Sequence, residues 1–336
     1  MPQHSITVST DSYRAARGRA AFLDRSDRGR IVVSGADRRT YLHGLLTNDI
    51  AALAPGAGCY AAYLTPQGRM VADLFVYELG DVILVTLASA VKDAVLARFD
   101  QFVFTEDVQL GDVSSTFGQL AVLGPDAPGH VAHMLDGVDA GRVAALPGHG
   151  NFRATFRGAP AIVVRAADLG VDGFDLLVGR DSADALAGAL REAGVPELDA
   201  GTAETIRIEG GVPRFGRDMD EETIPLEAGI ESKAISFTKG CYVGQEVIVR
   251  VLHRGHGRVA KKLVGLVFDA GQAPEPGTPV RVGDREIGSV TSSAWSPALS
   301  RAVALAYVHR DFLEPGTKVT AGESAATVTA LPFVPA

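Results

Sequence analysis

Ile31-Val32-Val33-Ser34-Gly35-Ala36-Asp37 returns in outline as Leu120-Ala121-Val122-Leu123-Gly124-Pro125-Asp126. Each reads as a short apolar strand stopped by a glycine, with an aspartate two residues on that can cap a helix. The first helix carries Tyr41, Leu42, Leu45 and Leu46 on one face, and the second reaches Leu135. A hairpin follows in each case. Tyr60–Leu64 and Met70–Leu79 turn at Pro66-Gln67-Gly68, and Phe152–Phe156 and Ala161–Arg165 turn near Gly158. Another strand comes next, Val82–Leu87 in one case and Phe174–Val178 in the other. A helix then runs through Val91, Val95, Phe99 and Phe102, or over Ser182–Ala193. A strand–helix–strands–helix unit therefore occurs twice, and the expected class is α+β with an internal duplication.

Thr202–Glu209 reads as a further helix, with Gly210-Gly211 as its C-cap. Beyond Glu246 the character changes to short β-rich runs punctuated by Gly and Pro: Leu263–Phe268, Thr278–Val282, Glu286–Thr291, Arg301–Val308, Thr317–Thr320 and Ala325–Leu331. They predict a small C-terminal β-barrel or sandwich. The expected domains are 1–112, 113–256 ending in the Lys239–Glu246 loop, and 257–336.

The 336 residues suffice for two or three domains, and the apolar and charged fractions, 46% and 21%, are those of a globular protein. Met1–Arg19 is polar and no run of about eighteen apolar residues occurs, so neither a signal peptide nor a membrane span is expected. Two cysteines, Cys59 and Cys241, make no disulfide framework and fit a reducing cytoplasm. A net charge of −8 argues against a general nucleic-acid binder. A phosphate-cradling G-x-x-x-x-G-K motif, a G-x-G-x-x-G and a nucleophile-elbow serine are all missing.

Cys241 stands in Lys239-Gly240-Cys241-Tyr242-Val243-Gly244-Gln245-Glu246. The glycines permit a tight loop, and Lys239 favours thiolate at Cys241. A small buried cysteine in a turn is the other reading. The basic run Arg250, His253, Arg254, His256, Arg258, Lys261 and Lys262 is either an anion site or a solvated linker. Cys241, His253 and His256 lack the spacing of a structural zinc site, so no metal is expected. Asp73, among apolar neighbours in the first hairpin, is a candidate carboxylate for holding a proton or a polar ring.

The octet 239–246 resembles the K-G-C-Y-x-G-Q-E signature of the YgfZ family, folate-binding proteins that support iron–sulfur enzymes. Arg207-Ile208-Glu209-Gly210-Gly211, Phe215-Gly216-Arg217-Asp218-Met219 and Ile224-Pro225-Leu226-Glu227-Ala228-Gly229 resemble a run shared by that family and the glycine-cleavage T-protein, an aminomethyltransferase. Leu46-Thr47-Asn48-Asp49 is similar to the same superfamily's L-T-N-D. The resemblance implies a GcvT-like folate-binding fold, a C-terminal β-barrel and tetrahydrofolate or a folate derivative as cofactor. The implied partners are iron–sulfur client enzymes or assembly proteins, with an effect on tRNA modification through cluster enzymes.

The implied catalytic residues are Cys241, Lys239 and Asp73. Those implied to bind the cofactor are Tyr60, Asp73, Tyr77 and Asp175, with Arg207 and Glu209 from the matched run and Arg250 from the basic run. Arg69 and Ala72 replace the second Gly and the first Asp of the T-protein G-G-x-x-D-D, and Ala203 replaces the arginine of its G-x-R. The expectation is therefore a YgfZ-type assembly or repair factor whose aminomethyl transfer is weak or absent. The alternative is an aminomethyltransferase or another folate-dependent one-carbon transferase.

Overall fold

The computed structural model describes residues 9–166, 168–253 and 257–335. The first sheet contains β2 (Gly29–Ser34), β3 (Gly58–Leu64), β4 (Met70–Glu78), β5 (Ile83–Leu87) and β6 (Gln109–Asp112). The second contains β1 (Ala21–Asp24), β7 (Phe117–Leu123), β8 (Asn151–Phe156), β9 (Ala159–Ala166) and β10 (Gly173–Gly179). Their strand orders are β3-β4-β5-β2-β6 and, read from the matching edge, β8-β9-β10-β7-β1. The expected duplication is thus present strand for strand. One difference matters: the edge strand β6 follows the first unit in the chain, whereas its counterpart β1 precedes both units and pairs with β7 (Ala21 opposite Leu123).

The repeated G-x-D turn has a steric cause. Gly35 and Gly124 have φ of +102° and +107°. A β-carbon would lie 2.0 Å from the Asp107 carbonyl oxygen at Gly35 and 2.6 Å from that of Arg19 at Gly124. Only glycine permits both the φ and the approach. The two carbonyls precede β6 and β1, so the glycines seat the matching edge strands. Neither aspartate caps its helix through its side chain. The Asp37 carboxylate instead accepts from the Asp107 amide at 2.9 Å.

Strand alternation then sorts the side chains into layers. On β3 and β4, Cys59, Ala61, Tyr63, Ala72, Leu74 and Val76 face helices Arg38–Leu45 and Ser89–Asp100 in one core. Tyr60, Ala62, Phe75 and Tyr77 face Ile162, Val164 and Leu177 of the second sheet. The outer face of the second sheet packs on helices Ala127–Met134 and Ala183–Glu192. The two sheets therefore stack face to face with helices outside, burying apolar rows that would otherwise cost about 25 cal/mol for each Å² exposed. Helix Ser89–Asp100 ends before Phe102, which is 42% exposed rather than part of the buried stripe.

The expected C-terminal barrel closes from six strands: β11 (Lys261–Phe268), β12 (Pro279–Val282), β13 (Arg285–Ser296), β14 (Arg301–His309), β15 (Lys318–Ala321) and β16 (Ser324–Thr329), in the order β11-β14-β13-β12-β15-β16. Between the sheets and the barrel, residues Gln245–His253 form a helix where β-rich runs were expected to begin after Glu246. Its Ile248 is buried and joins the layer between the sheets.

Helix Ala200–Glu209 fastens the barrel to the rest. Arg207 donates to Asp218, Glu204 and Ser292. Buried Glu209 accepts from Tyr13 at 2.7 Å and from Ser296 at 2.5 Å, and also pairs with Arg17. Among the described residues no helix is long and apolar enough to cross a membrane.

Candidate functional site

A cavity of about 1100 Å³ opens where the two sheets meet the barrel. The first sheet contributes Tyr60, Asp73 and Phe75, the second region Asp168 and His149, and the barrel Lys262 and Leu331. Ligand pockets are commonly about 300–1,000 Å³, so there is room for a folate-sized molecule.

Asp73 and Phe75 reach it because they share the face of β4 that looks away from the helical core. The Tyr60 hydroxyl, one strand over, donates to Asp73 at 2.9 Å. Burial raises the Asp73 carboxyl above its ordinary value, and this outweighs the opposing effects of the Tyr60 hydrogen bond and the Arg28 charge. Burial also raises the Tyr60 hydroxyl well above the ordinary value, so it stays a donor at neutral pH. Along the same wall the Tyr60 and Phe75 rings lie 4.9 Å apart, the His149 ring is 5.6 Å from Phe75, and the Arg28 guanidinium covers Phe75 at 5.5 Å. A half-buried acid of raised pKa against an aromatic wall can exchange a proton with, or hydrogen-bond, a flat polar ring.

The other site candidates fall elsewhere. Asp175 lies on β10, the strand after its hairpin, whereas Asp73 lies within one. Arg25 Nη1 contacts both Asp175 oxygens, at 3.1 and 3.0 Å, and the carboxylate expected to bind the cofactor lies outside the cavity lining. Burial pushes the Asp175 carboxyl up, and Arg25 pulls against it. Tyr77 is buried beside this cluster and outside the cavity lining, its hydroxyl raised by burial. Arg207 touches the lining but spends its guanidinium on Glu204, Asp218, Ser292 and a carbonyl, and Glu209 lies outside it. Arg250 is on the exposed side of helix Gln245–His253, paired with Glu246 four residues before it. Arg254 and His256 lie outside the described residues, as does the side chain of His253.

Cys241 is exposed and outside the cavity lining, so its thiol is on the outer surface, whereas Tyr242 beside it is buried between the sheets. Lys239 does not serve it. Its ammonium donates to the carbonyls of His43, Leu46 and Asn48, closing the end of helix Arg38–Leu45. Burial lowers the Lys239 pKa to about 8, against the pull of the nearby Asp49 charge. Burial in turn pushes the Cys59 thiol up to about 12. The Leu46–Asp49 tetrapeptide is a clasp: Thr47 donates to Ala234 at 2.6 Å, and Asn48 to Tyr60 at 2.8 Å and Lys233 at 3.1 Å.

Arg25, Arg28, His149 and Asp168 also line the cavity, and no motif marked them. Burial would raise Asp168, but Arg25 and Arg28 hold it down to about 2. The signal was the density of charge in Asp24-Arg25-Ser26-Asp27-Arg28-Gly29-Arg30, between two strands where a plain turn needs none. Arg69 and Ala72, the replacements that weighed against transfer chemistry, do not touch the cavity. Arg69 pairs with Glu222 on the surface, and Ala72 is buried in the helical core of the first sheet. Ala203 does line the cavity.

Two stacked, duplicated sheets, a C-terminal barrel and an acid-bearing cavity at their junction define a class of barrel-capped α+β ligand-binding proteins. Residues 3–239 match the GCVT N-terminal domain and residues 261–335 the glycine cleavage T-protein C-terminal barrel domain. An aminomethyltransferase of Rubrobacter xylanophilus is 34% identical over 323 residues, covering 96% of this chain and 85% of the relative. One from Streptomyces avermitilis is 32% identical over 342 residues, covering 96% and 88%. The crystal structure of glycine cleavage system aminomethyltransferase T from Bartonella henselae superposes with a TM-score of 0.86 at 24% identity, over 96% of this chain and 89% of that one, and shows the same fold. The chain belongs to the glycine-cleavage T-protein (GcvT) family.

Proposed function

We propose that this chain binds tetrahydrofolate in the three-walled cavity and acts there as a one-carbon transferase of the aminomethyltransferase kind. The observation that carries the reading is Asp73: a carboxylate raised by burial, hydrogen-bonded by Tyr60, at the aromatic wall of a folate-sized cavity. The relatives named aminomethyltransferase, at 32–34% identity over nearly the whole chain, support the same reaction class. The residues present suit a folate. Tyr60, Phe75 and His149 offer rings to a heterocycle, and Lys233 and Lys262, also on the lining, offer charge to carboxylates. Tetrahydrofolate supplies the nitrogen acceptor for the one-carbon unit. Asp73 orients the ring and holds or exchanges a proton beside it. The test measures one-carbon transfer from a lipoyl-bound aminomethyl substrate to tetrahydrofolate. Turnover lost in Asp73→Asn supports the reading, and no turnover in the parent chain refutes it.

Exposed Cys241 in its intact octet supports a second reading, a YgfZ-type role in maintaining iron–sulfur enzymes, carried out on the outer surface rather than in the cavity. Cys241→Ser in a cell lacking the protein separates the two. Loss of cluster-enzyme activity with folate binding intact favours this role, and full complementation rejects it.

A further inference from the structure

His149 has a left-handed backbone, φ +61°, which a non-glycine residue adopts at a cost. Its surroundings hold it there. Its amide donates to the Arg165 carbonyl at 3.2 Å, and its own carbonyl lies so near Gly58 that a β-carbon there would come within 2.5 Å. Two residues on, the Asn151 side chain donates to the Ala57 carbonyl at 2.9 Å. A loop of the second unit is thus clamped to the first hairpin, and the clamp carries the imidazole to the cavity beside Phe75.

The ring makes no side-chain hydrogen bond among the described residues, and its Nδ1 is buried without a partner. An orphaned acceptor is tolerated better than an orphaned N–H donor in a protein interior. The proton therefore belongs on Nε2, the nitrogen left to the cavity. A left-handed backbone and an unsatisfied polar ring at one place on a cavity wall fit a ligand contact better than a purely structural role.

We propose that His149 is a ligand-contacting, specificity-determining residue of the cavity, its Nε2–H donating to an acceptor on the edge of a flat heterocycle held against the Tyr60–Phe75 wall. The inference rests on the folate reading above and adds the residue that reads the heterocycle edge. It predicts that the contact is made to the ring system and not to the benzoylglutamate tail.

Titration calorimetry with tetrahydrofolate, with a reduced pterin alone and with 4-aminobenzoylglutamate tests it. His149→Phe keeps a ring on Phe75 and removes both nitrogens. His149→Gly relieves the backbone and guards against a variant that fails to fold. Both are expected to bind tetrahydrofolate and the pterin about tenfold more weakly, the worth of one well-made hydrogen bond, and to bind the tail fragment as the parent does. Equal or tighter pterin binding by the folded variants overturns the role of His149 while leaving the folate reading intact. A parent chain that binds neither tetrahydrofolate nor pterin overturns both.

Discussion

The two sheets use buried carboxylates in opposite ways. On β4 of the first sheet, Asp73 is hydrogen-bonded by a neutral phenol, and the Arg28 charge acts on it without pairing with it. On β10 of the second, Asp175 is gripped at both oxygens by Arg25, which also holds Asp168. Both point into the space between the sheets, and residue type alone does not distinguish them. The partner does. A carboxylate matched by a guanidinium belongs to the structure, whereas one matched by a hydroxyl remains available to a ligand.

The largest expected effect falls on the matched pair. Asp175→Ala leaves the Arg25 guanidinium short of one of its two acids, and removing one partner of a buried pair costs about 3 kcal/mol or more. Denaturant unfolding is expected to show that loss, with folate affinity unchanged at temperatures where the variant is folded. Lost affinity without lost stability would return Asp175 to the ligand site and break the comparison.

Asp73→Asn is expected to do the reverse. Transfer should fall about a hundredfold, the usual worth of a proton-handling group, while the midpoint of unfolding at neutral pH holds or rises. The pH dependence sharpens this. The folded Asp73 carboxyl titrates above its ordinary value of 3.8, so its burial costs nothing below that pH, and the cost grows as pH climbs through the folded value. Asp168 is held at about 2, so its stabilisation is complete above pH 3.8 and fades as pH falls from there towards 2. Melting temperatures from pH 3 to 8 should therefore show Asp73→Asn gaining on the parent as pH rises and Asp168→Asn falling behind it.

The smallest effect concerns the cysteines. Iodoacetamide at neutral pH should label exposed Cys241 in the native protein and leave Cys59 untouched, because burial excludes the reagent and keeps that sulfur protonated. Labelling of Cys59 at a comparable rate would mean that the core beneath helix Arg38–Leu45 opens readily.

The fold was legible wherever local pattern and steric need coincide. The apolar run ending in Gly35 and its echo at Gly124 reveal the duplication because only glycine fits against the carbonyls of Asp107 and Arg19. The barrel strands announced themselves as short β-rich runs punctuated by Gly and Pro. Asp73 was legible because a carboxylate amid Val71, Leu74 and Val76 is conspicuous. The pairing of Arg25 with Asp175 was not, since contacts across the sheet interface leave no local pattern. For the same reason Lys239 read as a partner for Cys241, its neighbour in sequence, when it serves carbonyls of a helix almost two hundred residues earlier. His149 escaped notice because a lone histidine between Gly148 and Gly150 looks like an ordinary turn.

The borrowed edge strand bears on how the chain is made. β1 is made before both segments that answer its edges: residues 196–198, where Phe22 exchanges backbone hydrogen bonds with Pro196 and Leu198, and, sooner, β7, Ala21 opposite Leu123. At ribosomal speeds of about 5–20 residues per second, roughly 5–20 s pass before that partner exists. Through this interval the first sheet can close from its own strands β2 to β6, while β1 waits as an unmated strand. Translation pauses between residues 24 and 123 would lengthen its exposure and give chaperones a handle on the young polypeptide. Pauses beyond residue 198 would find both edges already covered.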